Sequence, residues 1–133
     1  MDVVTATDVD PHDLSISDAA ALTGVSVHAL RYYEKAGLML DRVPRASSTH
    51  RRYRDHDINW VQFITRLRST GMSIRQIRQY ADMVRSGDGN EAERLVLLEQ
   101  HRDRVEQQLR EMERHLAAIT FKIDLYHERI ARH

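Results

Sequence analysis

From Glu91 to His133 the chain runs for more than forty residues without a glycine or a proline. This run limits the fold more than any other feature. Its apolar residues recur in alternating steps of three and four. One set is Leu95, Leu109, Leu116, Ile123 and Ile130, and the other is Leu98, Val105, Met112, Ile119 and Tyr126. They occupy positions a and d of a coiled coil sustained over about five heptads. Arg102 is the one polar residue in that seam, where a polar side chain can set register at a cost in stability. At ~1.5 Å per residue, residues 91–130 reach roughly 60 Å as a helix. A small domain cannot cover that length, so burying the stripe calls for a partner helix. A second copy of the same chain is the simplest one.

The string Ser86-Gly87-Asp88-Gly89-Asn90 interrupts the pattern just before this run and reads as a hinge-like loop. Residues 1–13, with four Asp, Pro11 and little periodicity, read as a flexible tail. The expected organisation is therefore a tail over 1–13, a globular domain over 14–86 and a dimerising helix over 87–133.

Within the domain, Thr23 to Leu38 is the most informative stretch. Ser15 with Asp18 has capping-box spacing, Ser17 is a competing cap, and Ala19, Ala20 and Leu22 continue a short helix to Thr23. Gly24 can take the positive φ that ends it. Ser26 then caps a second helix over Val27–Ala36, and Gly37 stops that helix. Two short helices around a glycine turn make a helix-turn-helix. Leu30 and Tyr33 fall on the inner face, leaving His28, Arg31, Tyr32 and Lys35 outside. Donors and an aromatic on an exposed helix suit a nucleic-acid groove.

Beyond it, Leu38-Met39-Leu40 suits a short strand, Asp41 to Thr49 a polar loop, and His50 to Arg54 a returning strand. That pairing would form a basic wing beside the second helix. Asp55 or Asp57 caps a further helix carrying Ile58, Trp60, Val61, Phe63, Ile64 and Leu67, stopped by Gly71. Ser73 opens another, with Ile74, Ile77, Tyr80, Ala81 and Val84 as its apolar stripe. The fold class is thus mainly α: a winged helix-turn-helix domain followed by a long coiled-coil helix.

The formal net charge is zero, but it is unevenly placed. Residues 1–30 carry five Asp and no Lys or Arg. Residues 31–86 carry twelve Lys or Arg against five acidic residues, a net +7, and residues 87–133 carry eight against ten. Local field matters more than the total for phosphate binding. The chain has no cysteine, which excludes disulfides, thiolate metal sites and thiol redox sensing.

The string Gly24-Val25-Ser26, Leu30-Arg31-Tyr32-Tyr33-Glu34 and Gly37-Leu38 resembles the recognition-helix signature of the MerR family of bacterial transcription regulators. The likeness runs from about Ser15 to the C-terminus. The wing of that family reads roughly Tyr-Arg-x-Tyr; Arg51 and Tyr53 match it, and His50 stands at the first Tyr. The resemblance implies a two-fold dimer on an antiparallel coiled coil. Such a dimer would bind a palindromic site in double-stranded promoter DNA and bend and untwist it, so acting on RNA polymerase indirectly. At the start of the recognition helix, Val27 and His28 are the expected base contacts. Arg31, Tyr32 and Lys35 are expected to hold phosphates, as are Arg45, Arg51, Arg52 and Tyr53 from the wing.

Metal, cofactor and catalytic roles find little support. None of the eight His forms a His-x-x-x-His pair, and His101, His115 and His127 are several turns apart on one helix. The cysteines used by the metal-sensing branch of the family, and the reactive cysteine of many electrophile-responsive members, are missing here. No Gly-rich phosphate loop, Gly-x-Ser-x-Gly or His-Glu-x-x-His string occurs. The expected protein is therefore not an enzyme, holds no cofactor or metal and, lacking a signal peptide or an apolar span, stays in the cytoplasm. A small-molecule effector fits the family, though no residue names one and the reading leaves no room for a separate effector domain. Two other function classes stay open: an excisionase-like architectural protein that bends DNA, and a coiled-coil adaptor that binds none.

Overall fold

The computed structural model describes residues 13–41 and 52–133. Residues 1–12 of the tail expected over 1–13, and the wing-loop residues Arg45, His50 and Arg51, lie outside the described residues. The chain divides after Arg94 into two compact units.

The first unit opens on a short strand, β1 (Leu14–Ser15), and helix α1 (Ile16–Thr23). Ser15 caps α1, its hydroxyl accepting from the Asp18 N–H at 3.1 Å. Helix α2 spans Val27–Lys35, β2 spans Arg52–Tyr53, α3 spans Asp55–Ser69 and α4 spans Ile74–Arg85. Helix α3 starts where Asp57 reaches back to accept from the Arg54 N–H at 2.9 Å. Ser73 caps α4 through the Gln76 N–H at 3.1 Å. The core is drawn from α1 to α4, β2 and the segment after α2: Ala19, Leu30, Leu38, Tyr53, Val61, Ile64, Ile77 and Ala81 are all buried. Trp60 and Tyr80 stack across α3 and α4 at 5.7 Å, with Phe63 tilted against both. Burial raises the Tyr80 hydroxyl above its usual range, against a smaller opposing pull from Arg94.

One expectation is corrected. Leu38–Leu40 is not a strand, and β2 pairs antiparallel with β1, Leu14 opposite Tyr53 and Ser15 opposite Arg52. The reason lies in the carbonyls after α2. The Trp60 indole donates to the Leu38 carbonyl at 2.7 Å and Arg85 donates to that of Met39. With its acceptors taken by side chains and Leu38 and Met39 buried, this segment has no ladder to offer.

The second unit is the greater part of one helix, α5 (Glu91–Ala131). Its start is prepared locally. The Glu91 carboxylate lies below its usual range because backbone N–H groups, its own and that of Gly89, bond to it. Along the whole of α5 only His101 is buried. No helix among the described residues is long and apolar enough to cross a membrane.

Candidate nucleic-acid interface

The turn between α1 and α2 is held by its own atoms. Gly24 sits at φ +75°, and its N–H reaches the Ala20 carbonyl at 2.9 Å. The Thr23 hydroxyl donates to the Ala19 carbonyl at 2.7 Å and accepts from the Val25 N–H at 3.1 Å. Two residues on, the Ser26 hydroxyl accepts from the Ala29 N–H at 3.0 Å and starts α2. The angle between the helices is therefore set before any core contact is counted.

Helix α2 is pinned on its inner face. Leu30 is 0% exposed and Tyr33 is buried, its hydroxyl 3.2 Å from that of Thr65 on α3. Fully burying a leucine side chain contributes about 1.5–3 kcal/mol. The Tyr53 hydroxyl donates to the Glu34 carboxylate and ties β2 to the same helix. His28, Arg31, Tyr32 and Lys35 are left exposed, with Val27 half-buried at the helix start. Arg68, on the last turn of α3, brings its guanidinium to 5.5 Å from the Tyr32 ring centre and 6.0 Å from that of Tyr33. The outer face thus presents three cations and an aromatic ring around one short helix.

Helix α2 places Val27, His28, Arg31, Tyr32 and Lys35 on one element, as expected from the sequence. The wing residues divide. Arg45 and Arg51 lie outside the described residues. Arg52 is half-buried and turned toward Asp13, whose carbonyl is 3.4 Å and carboxylate 3.7 Å away. Tyr53 is a correction: at 0% exposure it cannot touch a phosphate, and its hydroxyl is bound to Glu34. It belongs to the core that carries α2.

Residues 14–84 match the model of the family described as MerR HTH family regulatory protein. The chain belongs to the MerR family. A second model, described as MerR, DNA binding, matches residues 58–120 and so includes much of α5. An uncharacterised HTH-type transcriptional regulator of Haemophilus influenzae is 36% identical over 108 residues, covering 81% of this chain and 79% of its own. The uncharacterised HTH-type transcriptional regulator YyaN of Bacillus subtilis is 33% identical, with 85% of this chain and 90% of its own covered. Among solved structures, HiNmlR, a MerR family regulator lacking the sensor domain and bound to promoter DNA, superposes with a TM-score of 0.78 at 34% identity. It covers 87% of this chain and 91% of its own.

In this MerR-family domain the sequence reading missed three groups. Arg68 lies near the C-terminal end of α3, where any cation complements the helix dipole, and only the fold brings it to the Tyr32 ring. Arg78 and Arg85 lie off the apolar stripe of α4 and were given no role from the sequence; Arg78 donates to the Ala36 carbonyl at 2.8 Å, and Arg85 to those of Gly37, at 3.2 Å, and Met39. The third is a cluster of Asp41, His56 and Asp57, the one set of metal-type ligand atoms that converges among the described residues. His56 Nε2 stands 2.9 Å from Asp41 and 3.4 Å from Asp57. His56 Nε2 is within hydrogen-bond distance of Asp41, and the other oxygen of Asp57 accepts from the Arg54 N–H, so these ligand atoms already have protein partners.

Proposed function

We propose that this protein is a cytoplasmic, DNA-binding transcription regulator that works as a homodimer. Two α2 helices enter the major groove at the two halves of an inverted repeat in a promoter. Val27 and His28, first on the helix, read base edges, while Arg31, Tyr32 and Lys35 hold the phosphates, joined by Arg68 and, from the wing, Arg45 and Arg51. The a and d residues of α5 bury one another across the dimer. A rigid dimer that grips both half-sites bends and untwists the promoter between them, and polymerase responds to the altered DNA.

The single observation that carries this reading is the outer face of α2. Its cations and aromatic are exposed, while its inner face, both ends and the preceding turn are tied down. The likeness to a DNA-bound relative over most of both chains supports the same reading. The exposed apolar residues of α5, Leu109, Met112, Leu116, Ile119 and Ile130 among them, support the dimer. The test is a titration of the full chain against an inverted repeat taken from DNA flanking its own reading frame and against a scrambled duplex, at one salt concentration. Preference for the repeat is expected, typically by about a thousandfold or more. Equal binding to both duplexes would favour an architectural role, and no binding to either would favour an adaptor.

A further inference from the structure

The four residues that follow α2 pass through an unusual set of bonds. A helix end leaves its last carbonyls without intrahelical partners. Here the carbonyls of Ala36, Gly37, Leu38 and Met39 are each met by a side chain from α3 or α4. Arg78 Nε donates to Ala36 at 2.8 Å, Arg85 Nη1 to Gly37 at 3.2 Å and to Met39, and Trp60 Nε1 to Leu38 at 2.7 Å. Arg85 is itself oriented by Asp82, one turn earlier on α4. Charged donors make the stronger hydrogen bonds, and a guanidinium holds its donors in a fixed planar fork. The two arginines together hold the exit of α2 at three carbonyls.

We propose that Arg78 and Arg85 are positioning residues for DNA recognition: they lock the exit of α2 to α4 and so set where the outer face of α2 stands in the groove. This rests on the reading that α2 carries base readout. Neither guanidinium belongs to that face, and both are spent on backbone oxygens. A base contact needs its donor placed to within a fraction of an ångström, so small tilts of α2 cost discrimination before they cost general affinity. Arg85 is also the last residue of α4, immediately before the Ser86–Asn90 loop. Any displacement of the end of α4 is therefore passed to α2 through the Arg85 fork.

The test uses the full-length chain with Arg85→Gln, Arg85→Lys and Arg78→Gln. Both arginines are exposed, so the variants are expected to fold, and circular dichroism checks that they do. Each protein is titrated against the inverted repeat and the scrambled duplex over a range of salt, and amide hydrogen exchange is followed without DNA. For Arg85→Gln the ratio of repeat to scrambled affinity should fall about five- to 150-fold, the span of one lost base contact. Affinity for the scrambled duplex and its salt slope should stay as in the wild type. Arg85→Lys should restore part of the ratio, since an ammonium can meet one carbonyl but does not reproduce the fork. Arg78→Gln should act in the same direction. Exchange over residues 36–39 should quicken, with the centre of α3 unchanged.

An unchanged ratio in Arg85→Gln overturns the proposal. So does a salt slope lower by about one unit, which would make Arg85 a phosphate contact instead. Mere loss of stability would weaken both duplexes alike and leave the ratio intact, which also counts against positioning. A wild type that does not discriminate brings down the DNA reading and this proposal with it, whatever the exchange shows. Unchanged exchange in a protein that does discriminate brings down the lock alone.

Discussion

The two units of this chain use the same kinds of apolar residue in opposite ways. In the first, Leu30, Leu38, Val61, Ile64 and Ile77 are buried by neighbours in the same chain. In the second, Leu109 is 60% exposed, Leu116 62% and Ile130 72%. A buried leucine reports on the folding of its own unit. An exposed leucine repeated at heptad spacing reports on something outside the chain, because single exposed leucines are ordinary but a continuous seam is not. On the proposed dimer, the contrast separates residues that make a fold from residues that make an assembly.

The largest effect should come from breaking the seam. Leu109→Ala with Leu116→Ala should turn a dimer into a monomer by light scattering at micromolar concentration, since each truncation in a packed core typically costs ~2–5 kcal/mol. The secondary structure of the first unit should persist. An unchanged dimer would move the seam elsewhere.

Leu30→Ala should cost a similar ~2–5 kcal/mol, but within one chain. Its urea midpoint should shift by the same amount at low and high protein concentration, whereas the shift for the seam variant should shrink on dilution, because only the wild-type dimer loses stability as it is diluted. A concentration-dependent Leu30→Ala would blur the division between the units.

Smaller effects belong to the exposed face of α2. His28→Ala should lose about 1–3 kcal/mol of discrimination between repeat and scrambled duplex, with helical content and dimerisation unchanged. An equal ratio in paired titrations would remove His28 from the readout set. Arg31→Ala should weaken both duplexes alike and lower the salt slope by about one unit. A loss confined to the repeat would make Arg31 a base contact.

The smallest effect concerns His101, the one buried residue of α5. Burial, and then the nearby Arg104 charge, hold its imidazole below the usual 6.5. The unfolded chain therefore takes up a proton at a higher pH than the folded one. The neutral form's stability is fully present above the unfolded value and is lost as pH falls through 6.5 toward the lower folded value. Urea midpoints at several pH values should show less acid loss in His101→Gln than in the wild type; parallel curves would mean that His101 is not held neutral.

Local rules carried the sequence a long way. Ser15, Ser26 and Ser73 cap the helices they were expected to cap, and Gly24 turns where a positive φ was needed, because each depends on residues a few positions away. The heptads of α5 were legible for the same reason. What failed was long-range pairing. Leu38-Met39-Leu40 has the composition of a strand, yet the partner of β2 is a two-residue segment near the start of the described chain, too short to carry a pattern. Tyr53 looked like a wing contact because a match to the wing pattern places a residue in the segment without saying which way its side chain faces. Arg78 and Arg85 sit on α4 with the spacing of solvated residues, and only the approach of α2 gives them carbonyls to meet.

The pairing of β1 with β2 has a consequence for how the domain assembles. Two ladder positions, Leu14–Tyr53 and Ser15–Arg52, join chain segments separated by nearly forty residues, with the helix-turn-helix between them. Closing so long a loop costs conformational entropy that so few bonds cannot repay alone. The ladder therefore has to form late, once α1, α2 and α3 have already brought its ends together. It is also the natural first place to fray, and a tag or cleavage site placed after residue 12 would intrude on it. The order of events in folding is written into a sheet only two residues long.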